Sequence, residues 1–202
     1  MKIEILGNVQ DGGVPHLGCS CDVCEKARED CNSQKYNSSL LIRDGEDEDS
    51  FRYLVEPTPD VRYQINGEYL DGVFISHGHL GHITGLLHFG EEALEAEHLP
   101  VYVSDKARNF ITSNDPYRLL ADRDNINLME FNDGETTGIQ GGEVEAVEAE
   151  HNRLNTDALG FMIHGENKKL FYLSDIHAWT DKTLEKVKEA DIAVVDGTFW
   201  NE

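Results

Sequence analysis

Gly72-Val-Phe-Ile-Ser-His77-Gly-His79-Leu-Gly-His82-Ile-Thr-Gly85-Leu-Leu places three imidazoles where a short apolar run meets a helical segment. An apolar run of this length, bounded by Gly and His, suits a strand buried on both faces, and its end fixes the direction of the first histidine. His77 and His79, two apart in an extended turn, face the same way, and His82 follows at the start of the next helix. Neutral imidazole is the commonest side-chain ligand for zinc and iron, so one turn can supply three ligands of a metal site. The alternative is a group of solvated loop histidines. Three of the nine histidines gathered at one strand end argue against it.

Outward from this stretch the chain alternates strand-like and helix-like patterns, the signature of an α/β domain. Strands are expected at Lys2–Leu6, Ser38–Ile42, Phe51–Val55, Gly72–Ser76, Pro100–Val103, Asn127–Phe131, Val144–Glu148, Gly160–His164, Leu170–Leu173 and Ile192–Val195. Helices are expected at Cys21–Arg28, His82–His88, Asp105–Thr112, Pro116–Leu120 and Asp181–Ala190. Residues 1–202 read as one domain, with a boundary between half-sheets near Asn132-Asp-Gly134. At 202 residues and 39% apolar content the chain can bury a core without staples. His88, His98, His164 and His177 read as surface or strand-packing histidines, His177 also as a support for a neighbouring ligand. Trp179 and Trp200 read as core residues.

A net charge of −22, from 39 acidic against 17 basic residues, argues against nucleic acid or an anionic membrane surface as partner. A small-molecule substrate is the expectation instead. The acidity is spread over loops and helix faces, as in salt-adapted proteins of halophilic cells. No apolar run is long enough to span a bilayer, and Met1-Lys-Ile-Glu-Ile-Leu-Gly7 lacks a signal-peptide pattern, so a cytoplasmic location is expected.

All four cysteines fall in one window, Cys19-Ser-Cys21-Asp-Val-Cys24 and then Cys31. Without a secretory signal, a structural zinc is a stronger reading than a disulfide framework, and reduced thiols without metal are the bland one. C-x-C-x2-C brings three thiolates onto one turn, as tetrahedral zinc prefers. The fourth ligand stays open between Cys31, His16 and a residue beyond position 202.

The histidine stretch resembles the H-x-H-x-D-H signature of the metallo-β-lactamase-fold superfamily. That resemblance implies an αββα sandwich that holds up to two metals. It makes His77 and His79 ligands of a first Zn²⁺ or Fe²⁺, His82 a ligand of a second, His151 in Glu148-Ala-Glu-His151 the third histidine of the first, and Asp175 in Tyr172-Leu-Ser-Asp175 the bridging carboxylate. Taken alone, His151 would be a surface histidine and Asp175 an N-cap for the helix beginning near Thr180. Two departures stand out. The signature's acidic position is Gly81, so the second metal is expected to bind weakly or not at all, and Gly81→Asp is expected to strengthen it. The family's last histidine has no counterpart before Glu202, so the fold is expected to lack its C-terminal part and either to be marginally stable and catalytically weak or to be completed by self-association or a complementing polypeptide.

Leu6-Gly-Asn-Val-Gln-Asp-Gly-Gly-Val-Pro15, the cysteine turn, Asn155-Thr-Asp157 and Asp196-Gly-Thr-Phe-Trp200 narrow the similarity to pyrroloquinoline-quinone biosynthesis protein B and its relatives. A phosphoribosyl cyclic phosphodiesterase of phosphonate breakdown shares the cysteine turn. The resemblance implies a metal-dependent hydrolase in which metal-bound water, as hydroxide, attacks an ester or phosphodiester. Two other readings stay open: an iron-dependent oxidation step in quinone biosynthesis, and a metal-binding fragment without turnover.

Overall fold

The computed structural model describes residues 1–45, 50–65, 67, 69–151 and 157–198. Its first half forms β1 (Lys2–Gly7), α1 (Asp22–Glu29), β2 (Ser39–Asp44), β3 (Phe51–Val55), α2 (Val61–Gln64), β4 (Gly72–Phe74), α3 (Leu80–Ile83), β5 (Leu99–Val103), α4 (Asp105–Ser113), α5 (Tyr117–Asp122) and β6 (Ile126–Glu130). The second half adds β7 (Thr136–Ile139), β8 (Gly142–Ala149), β9 (Ala158–Gly165), β10 (Lys169–Leu173), α6 (Asp181–Glu189) and β11 (Ile192–Val195). One sheet runs β1-β2-β3-β4-β5-β6 and the other β11-β10-β9-β8-β7. The chain passes from one sheet to the other between β6 and β7, across Asn132-Asp-Gly134.

Alternation along the strands builds the layers. In β4, Val73 packs under the helices with Leu86, Phe89 and Ile111, while Phe74 points between the sheets and meets Phe161 of β9. In β10, Tyr172 joins the intersheet core, whereas Phe171 and Leu173 face outward with Val187 of α6. Helix, sheet, sheet, helix is the resulting order, an αββα sandwich. β4 is parallel to both neighbours and fully buried, which explains its unbroken apolar run.

The differences from expectation lie near the histidines. β4 ends at Phe74, but Ile75 N–H still donates to Tyr102 O (3.1 Å), so the extended chain runs on to the cluster. The expected single helix His82–His88 is α3 followed by a 3-10 segment, Thr84–Phe89. Gly85 N–H donates to Pro57 O (2.8 Å), and a Cβ at Gly85 would lie 2.2 Å from Thr58 O, so glycine permits this approach. β7, with its short Thr-Thr-Gly-Ile sequence, and α2, a single turn after Pro59, carried too little periodicity to be read. Trp179, read as a core residue, is 44% exposed, while Trp200 lies outside the described residues, as do Asn155, Thr156 and Phe199.

Candidate metal centre

The backbone delivers the donors to one end of the sandwich. His77 ends the segment leaving β4, His79 precedes α3, His82 lies within it, His151 follows β8 and Asp175 follows β10. Strand ends are where an α/β sheet offers side chains to a cleft. Here the cleft has a volume of about 1040 Å³ and is lined by Asp11, His82, His151, Asp175, His177 and Asp196, among others.

Four donor atoms converge where His151 and Asp175 line it: His77 Nε2, His79 Nδ1, His151 Nε2 and Asp175 Oδ2. His77 Nε2 lies 2.9 Å and His151 Nε2 3.0 Å from His79 Nδ1. Asp175 Oδ2 lies 3.6 Å from His77 Nε2 and 3.3 Å from His151 Nε2. A tetrahedral ion with metal–nitrogen bonds of about 2.0–2.1 Å keeps its donors roughly 3.3 Å apart. The four separations lie within about 0.4 Å of that value. Asp175 is free for this because the helix it was alternatively read to cap is capped by Thr180, whose side chain accepts from Thr183 N–H while Thr183 Oγ1 accepts from Thr180 N–H.

Glu56 was missed by sequence reading. It is fully buried at the end of β3, with φ +68°, a backbone conformation that is costly for a non-glycine residue and is held by its N–H donating to Phe74 O (2.8 Å). Its carboxylate accepts from Ser76 Oγ (2.5 Å), Ser174 Oγ (2.7 Å) and Tyr172 Oη (2.9 Å). His82 Nδ1 sits 2.8 Å from Glu56 Oε2, a charged contact rather than a well-aligned hydrogen bond. Glu56 thereby favours a proton on His82 Nδ1 and leaves Nε2 facing the cleft. A carboxylate that closes an apolar strand just before Pro57 is the signal that was available.

Electrostatics separates the imidazoles. Burial, then the charges of the neighbouring histidines, holds His77 well below the usual range. Burial likewise lowers His79 and brings His151 down to about 4. All three shifts favour the neutral imidazole, the state a metal requires. Burial disfavours the charge on His82 too, but Glu56 and the hydrogen bond to Asp11 override it and raise its pKa well above the usual range. Burial raises Asp175 to about 6 against the pull of His82.

Two further residues bear on the cleft. Asp11 reaches in from the loop after β1, its Oδ1 3.1 Å from His82 Nε2. His177 is exposed, but its Nδ1 lies 2.8 Å from Nδ1 of His151, so it pairs with that ring rather than standing free on the surface.

The thiols of Cys19, Cys21 and Cys24 lie within 4.8 Å of one another, the first two 3.4 Å apart. Arg28 of α1 ties the turn by donating to His16 O (3.0 Å) and Cys19 O (2.5 Å). Neither candidate for a fourth ligand within the chain joins the group. α1 carries Cys31 away, and the His16 ring turns to Leu17 O while its backbone N–H donates to Cys24 Sγ (3.3 Å).

Comparison with known proteins places this geometry. The Beta-lactamase superfamily domain matches residues 51–202, and the chain belongs to that superfamily. Coenzyme PQQ synthesis protein B of Nitrosococcus oceani is 25% identical over an alignment of 240 residues, taking in all of this chain and 75% of that protein. The crystal structure of Zn²⁺-bound PqqB from Methylobacterium extorquens superposes with a TM-score of 0.81 at 21% identity, covering 98% of this chain and 73% of that one. A diphosphatase of the PhnP family superposes with a TM-score of 0.72 at 24% identity, covering 95% and 71%. The chain thus spans about three quarters of the relatives it matches.

Proposed function

We propose that the chain is a metal-dependent hydrolase that cleaves an ester or phosphodiester of a small molecule in the histidine cleft. The observation that carries this reading is the convergence of His77 Nε2, His79 Nδ1, His151 Nε2 and Asp175 Oδ2 at spacings suited to one ion. Bound Zn²⁺ or Fe²⁺ would supply Lewis acidity and a water of lowered pKa. The residues of the chain do the rest. Glu56 and Ser76 orient His82 and His77, and His177 orients His151. No helix among the described residues is long and apolar enough to cross a membrane. The likeness to a diphosphatase favours a phosphorylated small molecule as substrate.

A second reading, iron-dependent oxidation of a tyrosyl peptide, is favoured by the similarity of the whole of this chain to three quarters of coenzyme PQQ synthesis protein B. One experiment separates the two. Protein stripped by chelation and reloaded with Zn²⁺, Mn²⁺ or Fe²⁺ is assayed for hydrolysis of bis(p-nitrophenyl) phosphate and, in the Fe²⁺ sample, for oxygen uptake with a tyrosyl peptide. Hydrolysis restored by metal and lost in His79→Ala supports the hydrolase. Oxygen uptake without hydrolysis supports the oxidase, and neither activity in protein shown to hold metal points to a binding fragment without turnover.

A further inference from the structure

Gly81 stands where the family signature has an acidic residue, and a side chain there has no room. A Cβ on Gly81 would lie 2.3 Å from Asp11 Oδ1, 2.8 Å from Asp11 Cγ and 3.2 Å from Asp11 Cα. The space is filled by a carboxylate from a segment 70 residues earlier. We propose that Asp11, His82 and Asp175 form a second divalent-cation site beside the three-histidine site, and that the glycine at 81 is what admits Asp11. The proposal rests on the metal-dependent reading above and adds a ligand that the signature does not contain.

Three observations bear it. His82 is 2% exposed, with Nδ1 against Glu56, so Nε2 is its remaining donor, 3.1 Å from Asp11 Oδ1 and 3.5 Å from Asp175 Oδ1. These spacings match the roughly 3.3 Å expected between donors on one ion. Asp175 divides its oxygens, Oδ2 facing His77 and His151 and Oδ1 facing His82, which is the posture of a bridging carboxylate.

The third observation is that the Asp11 loop is fixed independently of any ion. Gln10 O accepts from Asn37 Nδ2 (2.7 Å) and from Gly13 N–H (2.9 Å). Val14 N–H donates to Lys35 O (3.0 Å), and Asn37 is itself held by Asp60 and Gln64. The carboxylate is therefore presented rather than merely nearby, and two carboxylates with one imidazole make a hard, anionic donor set that suits Mn²⁺, Fe²⁺ or Zn²⁺. Gly81→Asp alone, expected from the signature to strengthen a second metal, would instead drive two carboxylates into one space.

Mn²⁺ is the probe of choice, because thiolates bind it poorly and the cysteine turn is then silent. Chelator-treated protein is titrated with Mn²⁺, counting bound ions by calorimetry and by the electron paramagnetic resonance of free Mn²⁺. Two ions per chain are expected for the unaltered protein. Asp11→Asn should raise the second dissociation constant at least about tenfold and the first by less than about twofold. The exchange Asp11→Gly with Gly81→Asp should restore the second ion, whereas Gly81→Asp alone should not. His79→Ala, which strips the first site, should spare the Asp11-dependent ion. Two ions retained in Asp11→Asn, or one ion in the unaltered protein that Asp11→Asn does not affect, would overturn the assignment. No ion in any variant would overturn the metal-dependent reading itself.

Discussion

Cys19, Cys21 and Cys24 meet within a single turn leading into α1, whereas the donors of the histidine cleft arrive from the loop after β1, the ends of β3 and β4, α3 and the segments after β8 and β10. The two regions also differ in surroundings. Cys21 is exposed and Cys19 partly so, with an arginine tying their backbone. His77, His82 and Glu56 are each 2% exposed or less, and each touches another member of the cluster. A local site can be lost without loosening the contacts between the two sheets. The cleft cannot, because its polar groups are also the pins between the strand ends of the two sheets.

That contrast sets the largest expected effect. Glu56 satisfies Ser76, Ser174, Tyr172 and His82 at once, and no water can replace it at zero exposure. Removing one partner of a buried charge pair strands the other, at a cost of about 3–5 kcal/mol. Glu56→Ala should therefore lower unfolding stability by about that amount in denaturant titrations. Glu56→Gln, which keeps an acceptor for Ser76 and Ser174 but turns an amide NH2 toward Tyr172 and His82, should lose less. If Glu56→Ala unfolds within about 1 kcal/mol of the unaltered chain, the cleft is no more woven into the fold than the cysteine turn.

The cysteine turn should respond in stability but not in turnover. Cys21 is held below the ordinary thiol range, first by the backbone N–H of Cys24 and then by the neighbouring thiols, so a thiolate is favoured there. If Cys19, Cys21 and Cys24 hold zinc, Cys21→Ser should lower Tm by about 5 °C or more while leaving hydrolysis per folded molecule unchanged, since substrate has no place at a thiolate site. Thiol labelling gives the check. Full reactivity of all four cysteines in zinc-replete native protein would count against a metal there, and a parallel loss of turnover would break the division between the two regions.

The same division decides what could be read from sequence. His77, His79 and His82 lie within one turn, and alternation and apolar runs found most of the strands, because both signals are local. The resemblance to the superfamily supplied His151 and Asp175, and the cleft holds both. Asp11 sits in a glycine-rich stretch that assigns it no role, and Glu56, beyond its place before Pro57, carries no local pattern that marks it as part of a site. Neither contact is periodic or close in sequence: Glu56 meets Ser174 118 positions away and Asp11 meets His82 71 positions away. Gly81 shows the cost most clearly. Read as a line of sequence it is a missing carboxylate, and in space it is the gap that a distant carboxylate fills.

His177 offers the finest test of how far the cleft's organisation extends toward solvent. Its ring is exposed, and in sequence it was as readily a surface histidine as a support. With Nδ1 of each ring 2.8 Å apart, one must donate and the other accept, and the pairing leaves His151 Nε2 turned toward His79 and Asp175. Partners of this kind are worth about 10–100-fold in metal affinity, and solvent exposure places His177 at the lower end. His177→Ala should weaken Mn²⁺ at the three-histidine site about tenfold, equivalent to about 1.4 kcal/mol, with Tm of the metal-free protein unchanged. His177→Gln, which retains a side-chain hydrogen-bonding group, should recover part of the loss. Affinity within about twofold in His177→Ala would confine the supporting layer to the buried Glu56 and Ser76. The cleft would then end, like the cysteine turn, at the residues that touch the ion.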